Sequence, residues 1–373
     1  MFFYVDFHIH GPYSRGTSKN LSVPLLIEGM KKKGLDIIGT GDILDGRWRK
    51  HLRATLTERD GLYSYNSKSN NLFVCTGEIE DIDGIHHLLI LPDINTAEEI
   101  ATKLEETLKI TLNNYSGRPI LKMNGEDILH LVQKKGGMIG PAHAFTPFKS
   151  LFRENRYNSL AQCYKESYKD VNFIELGLSA NSMMADKIEE LQHYAFLSNS
   201  DTHSLSLGKI GRECNRIHLC DMSYYAIEEA VKMHSLKNYI ERNIGLDPRL
   251  GKYYSSFCYK CRRRIKYHEK LNIFNNEVLF IQENEKEFIA KISMKKARCP
   301  VCKGLIKLGV KDRIEQLASL NSLKKNRPIY INTVPLVEII GTISGIRTLN
   351  SKKNTKGVQR ATYENGNRVK CSN

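Results

Sequence analysis

The chain lacks the features that mark membrane, secreted and disulfide-bonded proteins. Its 373 residues contain no stretch of about 18 or more apolar residues, so a membrane-spanning helix is excluded. The N-terminus does not resemble a signal peptide, because Asp6, His8 and His10 interrupt its short apolar run. Nine cysteines, an odd number, do not suggest a disulfide framework. We therefore expect a cytoplasmic protein without membrane contacts.

Acidic residues are scarce in the last third of the chain. Residues 251–373 carry 26 Lys and Arg against 9 Asp and Glu, a balance of +17, whereas residues 1–250 carry 30 against 32, a balance of −2. All of the net charge of +15 thus arises after Gly251. This asymmetry is typical of a neutral globular unit with an appendage that binds a polyanion, and a solvated basic tail is the alternative.

Secondary-structure patterns divide the chain into three parts. Residues 1–250 alternate short apolar runs with helical stretches, which predicts an α/β fold with a largely parallel sheet, closed as a distorted (β/α) barrel. Residues 251–323 contain paired cysteines, which predicts a small zinc-binding domain resembling a zinc ribbon. Residues 324–373 form a basic C-terminal segment whose end, past about residue 350, has little to bury and is predicted to be disordered.

Polar side chains with catalytic potential recur at the C-terminal ends of the predicted strands, the edge where active sites assemble in α/β proteins. They are His8, His10, Asp42, Glu78, His87, His143, Glu175, Asp201 and His203. On a strand, the spacing of His8 and His10 puts both imidazoles on one face. Mixed histidine and carboxylate donors are typical of Zn, Mn and Fe ions. A metal centre is the favoured interpretation, and a buried polar cluster is the alternative.

Four of the cysteines form two CxxC pairs that are separated by 37 residues, namely Cys258 with Cys261 and Cys299 with Cys302. Four thiolates give zinc a closed tetrahedral shell, which is structural rather than catalytic. We expect a hairpin at residues 273–292 to bring the pairs together, and free thiols are the alternative.

Basic residues and tyrosines are interleaved around the first cysteine pair. The basic residues are Lys260, Arg262, Arg263, Arg264 and Lys266. Basic side chains mixed with aromatic rings suit contacts to phosphates combined with base stacking. The alternative is a solvated face whose tyrosines pack on the small zinc core.

Several motifs resemble the polymerase and histidinol phosphatase superfamily of metal-dependent phosphoesterases. They lie at residues 6–10 (DFHIH), 39–42 (GTGD), 77–78 (GE), 86–87 (HH), 141–143 (PAH) and 199–203 (NSDTH). Longer strings, such as those at 8–20, 117–121, 141–148 and 211–216, resemble the endonuclease Q branch of that superfamily. In that branch a phosphoesterase barrel is joined to a cysteine-rich zinc-binding segment. The resemblance spans roughly residues 1–345.

The resemblance implies a DNA repair endonuclease that incises on the 5′ side of deoxyuridine, deoxyinosine, deoxyxanthosine or an abasic site, in double- or single-stranded DNA. Two-metal catalysis with a metal-bound hydroxide is the implied mechanism. The implied ligands of the first ion are His8, His10, Glu78 and Asp201, and those of the second are Glu78, His87 and His143. The implied cofactors are two or three divalent ions (Zn, Mn or Mg) in the barrel and one structural zinc. Protein partners are not implied.

Some roles stay open at this point. His87 is chosen over His86 because Glu78 and His87 both end predicted strands. Asp42 and His203 are candidate ligands of a third ion, with an orienting role for Asp42 as the alternative. Glu175 is either a metal ligand or a partner of a flipped base. Tyr13 is a candidate for stacking on DNA. Besides Glu78, Asp201 and His203, we expect Arg15 to act in catalysis by clamping the scissile phosphate, with an ion pair as its alternative.

Two other functions remain compatible with these motifs. A small-molecule phosphoesterase, such as a histidinol-phosphate phosphatase, would share the metal centre but would not need a basic appendage. A non-catalytic zinc-ribbon protein would bind DNA through residues 251–323 alone.

Overall fold

The computed structural model describes residues 1–66, 69–267, 278–281, 284–319 and 326–345. The strands in this part of the chain are β1 (Phe2–Asp6), β2 (Ile37–Gly39), β3 (Thr57–Arg59), β4 (Leu62–Ser64), β5 (Leu72–Glu80), β6 (His86–Leu91), β7 (Met138–Pro141), β8 (Phe173–Glu175), β9 (Ala195–Leu197), β10 (Cys214–His218), β11 (Tyr239–Gly245), β12 (Phe257–Cys258), β13 (Arg264–Tyr267), β14 (Val278–Ile281), β15 (Ile306–Lys307) and β16 (Ile329–Asn332). The α helices are α1 (Val23–Lys33), α2 (Gly46–Thr55), α3 (Ile94–Leu108), α4 (Gly125–Gln133), α5 (Leu160–Tyr164), α6 (Ser182–Ala185), α7 (Tyr224–Lys232), α8 (Glu285–Ser293), α9 (Val310–Leu317) and α10 (Leu336–Ile343).

Local sequence sets the ends of the helices. Helix α1 has a proline in its first turn and ends at Gly34, which adopts the left-handed conformation (φ 71°) that glycine tolerates without strain. The Asp93 carboxylate accepts a hydrogen bond from the Thr96 N–H and caps α3, and the Asn124 side chain caps α4 in the same way. Capping residues therefore fix where these helices begin and end.

The main sheet is mixed rather than largely parallel, which corrects the sequence prediction. Its strands follow the order β16-β11-β10-β1-β2-β5-β4-β3, with β6 paired to β5 and β7 paired to β6. Strands β1, β2 and β5 are parallel to one another, whereas β6 runs antiparallel to both β5 and β7. The reason is the short loop between β5 and β6, since strands joined by a tight loop pair in opposite directions.

A second, two-stranded parallel sheet of β8 and β9 continues the wall of the barrel. An isolated bridge between Ile9 and Thr202 links the residues after β9 to those after β1. A hydrogen bond from the Asn172 N–H to the Ile139 carbonyl links the start of β8 to β7. Buried aromatic and aliphatic side chains fill the space between this wall and the helices. The distorted α/β barrel predicted from the sequence is thus confirmed.

The cysteine-rich segment has its own small sheet and core. Strands β14, β13, β12 and β15 form the sheet, and β13 and β14 are parallel. The predicted hairpin at 273–292 is not observed among the described residues, where β14 and helix α8 stand instead; residues 273–277, 282 and 283 lie outside them. Ile265, Phe288 and Ile306 pack with the cysteines in a separate hydrophobic cluster.

After the cysteine-rich segment the chain returns to the barrel. Val310 and Ile314 of α9 belong to the barrel's hydrophobic core, and β16 pairs with β11 as an edge strand of the main sheet. Arg327 donates to the Asp186 carboxylate at 2.6 Å in a buried ion pair that fixes the start of β16. The cysteine-rich segment is therefore an insertion between parts of one fold, and residues 326–332 belong with the barrel rather than with a C-terminal tail.

The predicted disordered end, residues 350–373, lies outside the described residues. Among the described residues, no helix has the length and apolar character needed to cross a bilayer.

Candidate metal centre and nucleic-acid surface

Two groups of three metal-binding side chains lie next to each other at the C-terminal ends of β1, β5, β7 and β9 and at the N-terminal end of the antiparallel strand β6. The first group is His8, His10 and Asp201, and the second is Glu78, His86 and His143. In the first group, His10 Nε2 lies 3.1 Å and His8 Nε2 lies 3.6 Å from Asp201 Oδ1. In the second, His86 Nδ1 lies 3.4 Å from His143 Nε2. The sequence predicted five of these six residues.

The Glu78 carboxylate connects the two groups. Its Oε1 lies 2.8 Å from His86 Nδ1 and 3.2 Å from His143 Nε2. The same carboxylate lies 3.8 Å from His8 Nε2 and 3.7 Å from His10 Nε2. Glu78 can therefore belong to both groups, as expected of a carboxylate that bridges two ions.

Three further carboxylates contact the second ring nitrogen of three histidines, namely His8, His10 and His86. Glu175 lies 3.0 Å from His8 Nδ1, and Asp42 lies 3.0 Å from His10 Nδ1. Glu80 lies 3.2 Å from His86 Nε2 and is also paired with Lys149. Such contacts fix the orientation and tautomer of histidines that bind metal. Glu175 and Asp42 thus contact the ring nitrogens of His8 and His10 that face away from Asp201, and Glu80, which the sequence interpretation missed, makes the same contact with His86.

His86 and not His87 faces Glu78, which departs from the choice made on the sequence. In the β5–β6 pairing, Glu80 is opposite His86 and Glu78 is opposite Leu88. Because side chains alternate between the faces of a sheet, Glu78, Glu80 and His86 share one face and His87 lies on the other. There His87 Nε2 lies 3.0 Å from Asp81, and its Nδ1 lies 2.7 Å from the Tyr164 hydroxyl.

The remaining predicted catalytic residues lie at or beyond the edge of the centre. The His203 ring is about one-third exposed, lies 4.0 Å from the His10 ring, and its Nδ1 lies 3.2 Å from the Asp201 carbonyl oxygen. Asp42 and His203 do not form a third group of donors within the described residues. Arg15 is exposed. Arg118, which the sequence interpretation did not single out, is the arginine that contacts Glu78.

The electrostatics of the centre reflect its density of carboxylates and imidazoles. Burial lowers the pKa of His8, but Glu175, Asp201 and Glu78 outweigh burial and raise it to about 9. Burial raises the pKa of Glu78, but His86, His143 and His8 hold it well below its usual value. Asp201 behaves in the same way beside His8 and His10. The carboxylates of the site are therefore held in their ionised form, and the site attracts cations.

The backbone is strained at this edge. Asp42 (φ 46°), His143 (φ 31°) and Asp201 (φ 46°) adopt positive φ angles, which non-glycine residues rarely do. Such conformations persist only where the surrounding structure enforces them, and they concentrate at functional sites.

The residues of the centre fit divalent metal ions. Buried polar atoms normally have a hydrogen-bond partner, yet His8 Nε2 is buried without one and points toward Asp201 and Glu78. A metal ion would satisfy it. Imidazole and carboxylate donors together suit Zn and Mn, and a shared carboxylate suits a pair of ions.

The cysteine-rich segment brings its two CxxC pairs together. Cys258 Sγ lies 3.3 Å from Cys302 Sγ, and Cys261 Sγ lies 3.7 Å from Cys299 Sγ. All four sulfur atoms lie within 4.8 Å of one another. This all-sulfur donor set fits a structural zinc ion, which needs four thiolates in a closed shell.

The segment also carries a basic and aromatic surface. Lys260, Arg262, Arg264 and Lys266 are exposed, and Arg263 is half-buried. The Arg262 guanidinium lies 5.0 Å from the centre of the half-exposed Tyr259 ring. The centre of the Tyr259 ring in turn lies 6.1 Å from the centre of the Phe148 ring, and Phe148 is in the loop that follows His143 on the barrel. Aromatic side chains therefore connect this surface to the loop that carries a metal-centre histidine.

Near the other side of the centre, Tyr13 is exposed on the loop that follows His10. The Arg47 guanidinium lies 4.1 Å from the centre of its ring. An exposed aromatic ring beside a cation at this edge is suited to stacking on a base or contacting a phosphate.

The chain is similar to solved structures of lesion-specific endonucleases. It is 35% identical to the lesion-specific endonuclease PfuEndoQ from Pyrococcus furiosus, with a TM-score of 0.84, over 100% of this chain and 85% of that one. It is also 35% identical to an endonuclease Q crystallised with a 27-mer duplex substrate carrying an abasic lesion at the active site, with a TM-score of 0.85, over 99% of this chain and 85% of that one.

Two curated proteins of unassigned activity are also similar. The uncharacterized protein YqxK of Bacillus subtilis is 28% identical over 96% of this chain and 87% of its own length. The uncharacterized protein MJ0043 of Methanocaldococcus jannaschii is 37% identical over 54% of this chain and 23% of its own length. No protein-family model matches the chain.

Proposed function

The chain belongs to the endonuclease Q family, and from this premise we propose that it is a DNA repair endonuclease that hydrolyses the phosphodiester bond on the 5′ side of deaminated bases and abasic sites. The observation that carries the proposal is the Glu78 carboxylate, which belongs to the second three-donor group and also lies 3.8 Å from His8 and 3.7 Å from His10 of the first. In the related complex, the abasic lesion of the duplex lies at the active site.

We assign the two groups to two ions. His8, His10, Asp201 and Glu78 would hold the first, and Glu78, His86 and His143 the second. Such a pair of ions activates a water molecule and stabilises charge on the attacking and leaving oxygens of an in-line displacement. Zn or Mn fits the donors best, with Mg as the remaining candidate, and a zinc ion is assigned to the four cysteines.

The chain's own residues position the reactants. Glu175, Asp42 and Glu80 accept hydrogen bonds from one ring nitrogen of His8, His10 and His86, which fixes the tautomer whose other nitrogen can hold an ion. His203, about one-third exposed beside His10, would give a proton to the leaving 3′-oxygen. The proposed products are a 3′-hydroxyl and a 5′-phosphate.

The lesion reaches this site only if the damaged nucleotide leaves the base stack, because a stacked base is out of reach of a centre at the strand ends. Tyr13 is the proposed stacking residue. The basic surface of the cysteine-rich segment (Lys260, Arg262, Arg263, Arg264 and Lys266) is proposed to hold the backbone of the DNA. A cytoplasmic, nucleoid-associated location stays a prediction.

Incision of end-labelled duplexes tests the proposal. Duplexes with one deoxyuridine, deoxyinosine, deoxyxanthosine or abasic site should be cut 5′ to the lesion, and the undamaged duplex should not. Asp201→Ala should abolish cutting because it removes a ligand, whereas Asp221→Asn, which changes an exposed carboxylate, should cut like the wild type.

Four results would contradict the proposal. Equal cutting of undamaged DNA would remove the lesion specificity, and cutting by Asp201→Ala would remove the metal assignment. Faster turnover of histidinol phosphate than of oligonucleotides would favour a small-molecule phosphoesterase. One zinc per chain without any hydrolysis would favour a non-catalytic DNA-binding protein.

A further inference from the structure

The loop of residues 116–121, here called the Arg118 loop, is fixed against the metal centre by its backbone. The Glu80 N–H donates to the Pro119 carbonyl at 2.8 Å, and the Leu121 N–H donates to the Glu80 carbonyl at 2.8 Å. Gly117 has a φ of +83°, and a Cβ added there would lie 2.6 Å from Asp42 Oδ2. Only glycine fits this close approach, so the loop is held between the residues that orient His86 and His10.

The Arg118 side chain reaches the carboxylate that both groups share. Its Nη1 donates to Glu78 Oε2 at 2.9 Å. The Arg118 side chain is 31% exposed, whereas the Glu78 side chain is 1% exposed. Arg118 therefore approaches Glu78 from the open side of the centre, where a substrate must enter.

Arg118 also has unused hydrogen-bonding capacity. Its Nε is buried and has no hydrogen-bond partner. A guanidinium offers five N–H donors in a planar fork, and its geometry matches two oxygens of one phosphate. In the part of the chain that the structure describes, Glu78 accepts from Nη1, and the rest of this partly exposed fork can donate to a ligand with acceptor oxygens.

We propose that Arg118 is a catalytic residue that binds a non-bridging oxygen of the scissile phosphate. This inference rests on the proposed function, and it gives Arg118 the role that the sequence interpretation gave to Arg15. A phosphate displaced at a centre bridged by Glu78 lies beside that carboxylate. The fixed loop then holds the Arg118 fork next to the reacting phosphorus, where negative charge develops in the transition state.

A purely structural role for Arg118 makes different predictions. If Arg118 only neutralises or orients Glu78, its loss would disturb the ligand that both ions share. The metal content of the protein would fall, and the identity of the phosphate oxygens would not matter. If Arg118 binds the phosphate, its loss would leave the metal content unchanged. The incision rate of the variant would then no longer depend on the identity of the phosphate oxygen that Arg118 contacts.

The test compares Arg118→Ala and Arg118→Lys with the wild-type holoenzyme on abasic-site duplexes. Arg216→Ala is the matched control, because Arg216 of β10 makes a similar 2.9 Å ion pair with Glu241 of β11, away from the metal centre. Arg118→Ala should lower the single-turnover incision rate about 10²–10³-fold, the range seen when one donor to transition-state charge is removed. Arg118→Lys should recover part of the rate, Arg216→Ala should cut like the wild type, and all four proteins should hold the same metal-to-protein ratio.

Sulfur substitution separates the two roles. The wild type should cut the two phosphorothioate diastereomers at the scissile position with different penalties relative to the natural phosphate. In Arg118→Ala, the loss of incision rate that sulfur causes should become at least fivefold smaller for one diastereomer, because the contact that sulfur disturbs is already missing. An unchanged penalty for both diastereomers, a lower metal ratio, or a rate within threefold of the wild type would each overturn the inference.

The failure of this inference is distinguishable from failure of the proposed function. If the wild type cuts the lesion duplex and Arg118→Ala cuts it equally well, only the role of Arg118 is wrong. If the wild type does not cut lesion duplexes but hydrolyses phosphomonoesters, the proposed function is wrong. The role of Arg118 is then decided by the same variants and metal ratios on that substrate.

Discussion

The metal centre of the barrel and the cysteine cluster of the inserted segment differ in donor atoms and in access. The centre combines imidazoles with carboxylates, and the Asp201 side chain is 37% exposed at its open side. The cluster consists of four sulfur atoms within 4.8 Å of one another, which leaves no donor position for a substrate. Under the proposed function, the contrast separates chemistry from binding within one chain. The carboxylate-rich barrel would take its positive charge from metal ions, whereas the basic segment supplies positive charge through its side chains.

The largest effect should come from removing the carboxylate that both groups of the centre share. Glu78→Gln should lower the incision rate by at least about 10³-fold, because loss of a bridging ligand weakens both ion sites and each 1.36 kcal/mol of lost transition-state stabilisation is tenfold in rate. The metal-to-protein ratio should fall to about one, the zinc of the cysteines. Glu98→Gln, which changes an exposed carboxylate paired with Arg53, is the control and should keep both rate and ratio.

An unchanged metal ratio in Glu78→Gln would show that the two groups bind their ions independently of Glu78. The contrast between a shared-carboxylate centre and a closed thiolate cluster would then be lost.

A smaller effect should separate two neighbouring histidines of β6. His86→Ala should lower the incision rate about 10²-fold, since it removes a donor that lies 2.8 Å from Glu78. His87→Ala should leave the rate within threefold but lower the free energy of unfolding by about 1–3 kcal/mol, because the buried Asp81 Oδ2 and Tyr164 hydroxyl lose their hydrogen bonds to His87. Incision assays and urea unfolding of both variants measure the two quantities. A loss of rate in His87→Ala with stability unchanged would restore the sequence-based choice.

The register of the β5–β6 hairpin explains why the sequence interpretation chose the wrong face for this histidine. A two-residue turn at Asp83-Gly84 would place His87 opposite Glu80. The observed loop has one residue more, because Asp81 pairs with Ile85 and Gly84 closes the turn at φ +69°. A shift of one residue reverses every side chain of a strand. The motif placed two histidines at the site, and only the turn geometry decides between them.

Other features of the fold and the site can be predicted from the sequence when they depend on residues close together in the chain, and not when they depend on residues far apart. The spacing of His8 and His10, the capping residues of the helices and the CxxC pairs act over a few residues. The return of β16 to β11, more than 80 residues away, depends on the buried Arg327–Asp186 pair, which has no local pattern. Arg118 was missed because its contact with Glu78 spans 40 residues and arises from the backbone pairing of its loop with Glu80.

The smallest effect should come from opening the cysteine cluster, and it should appear in binding rather than in chemistry. Cys302→Ser should release the zinc and disorder the small core around Ile265 and Ile306, so the surface of Arg262 and Tyr259 loses its shape. We expect the Kd for the abasic duplex to rise about 10- to 30-fold at moderate salt, as each lost base-stacking contact is worth about 1–3 kcal/mol, and its salt dependence to become shallower as phosphate contacts are lost. Hydrolysis of bis(p-nitrophenyl) phosphate, a small diester that needs no DNA-binding surface, should stay within threefold. Cys220→Ser, which changes an exposed cysteine outside the cluster, is the control.

Because β16 follows the insertion and still pairs with the main sheet, the barrel should unfold at nearly the wild-type temperature. If hydrolysis of the small diester fell together with DNA binding, the inserted segment would be supporting the metal centre itself, and the separation of chemistry from binding would not hold.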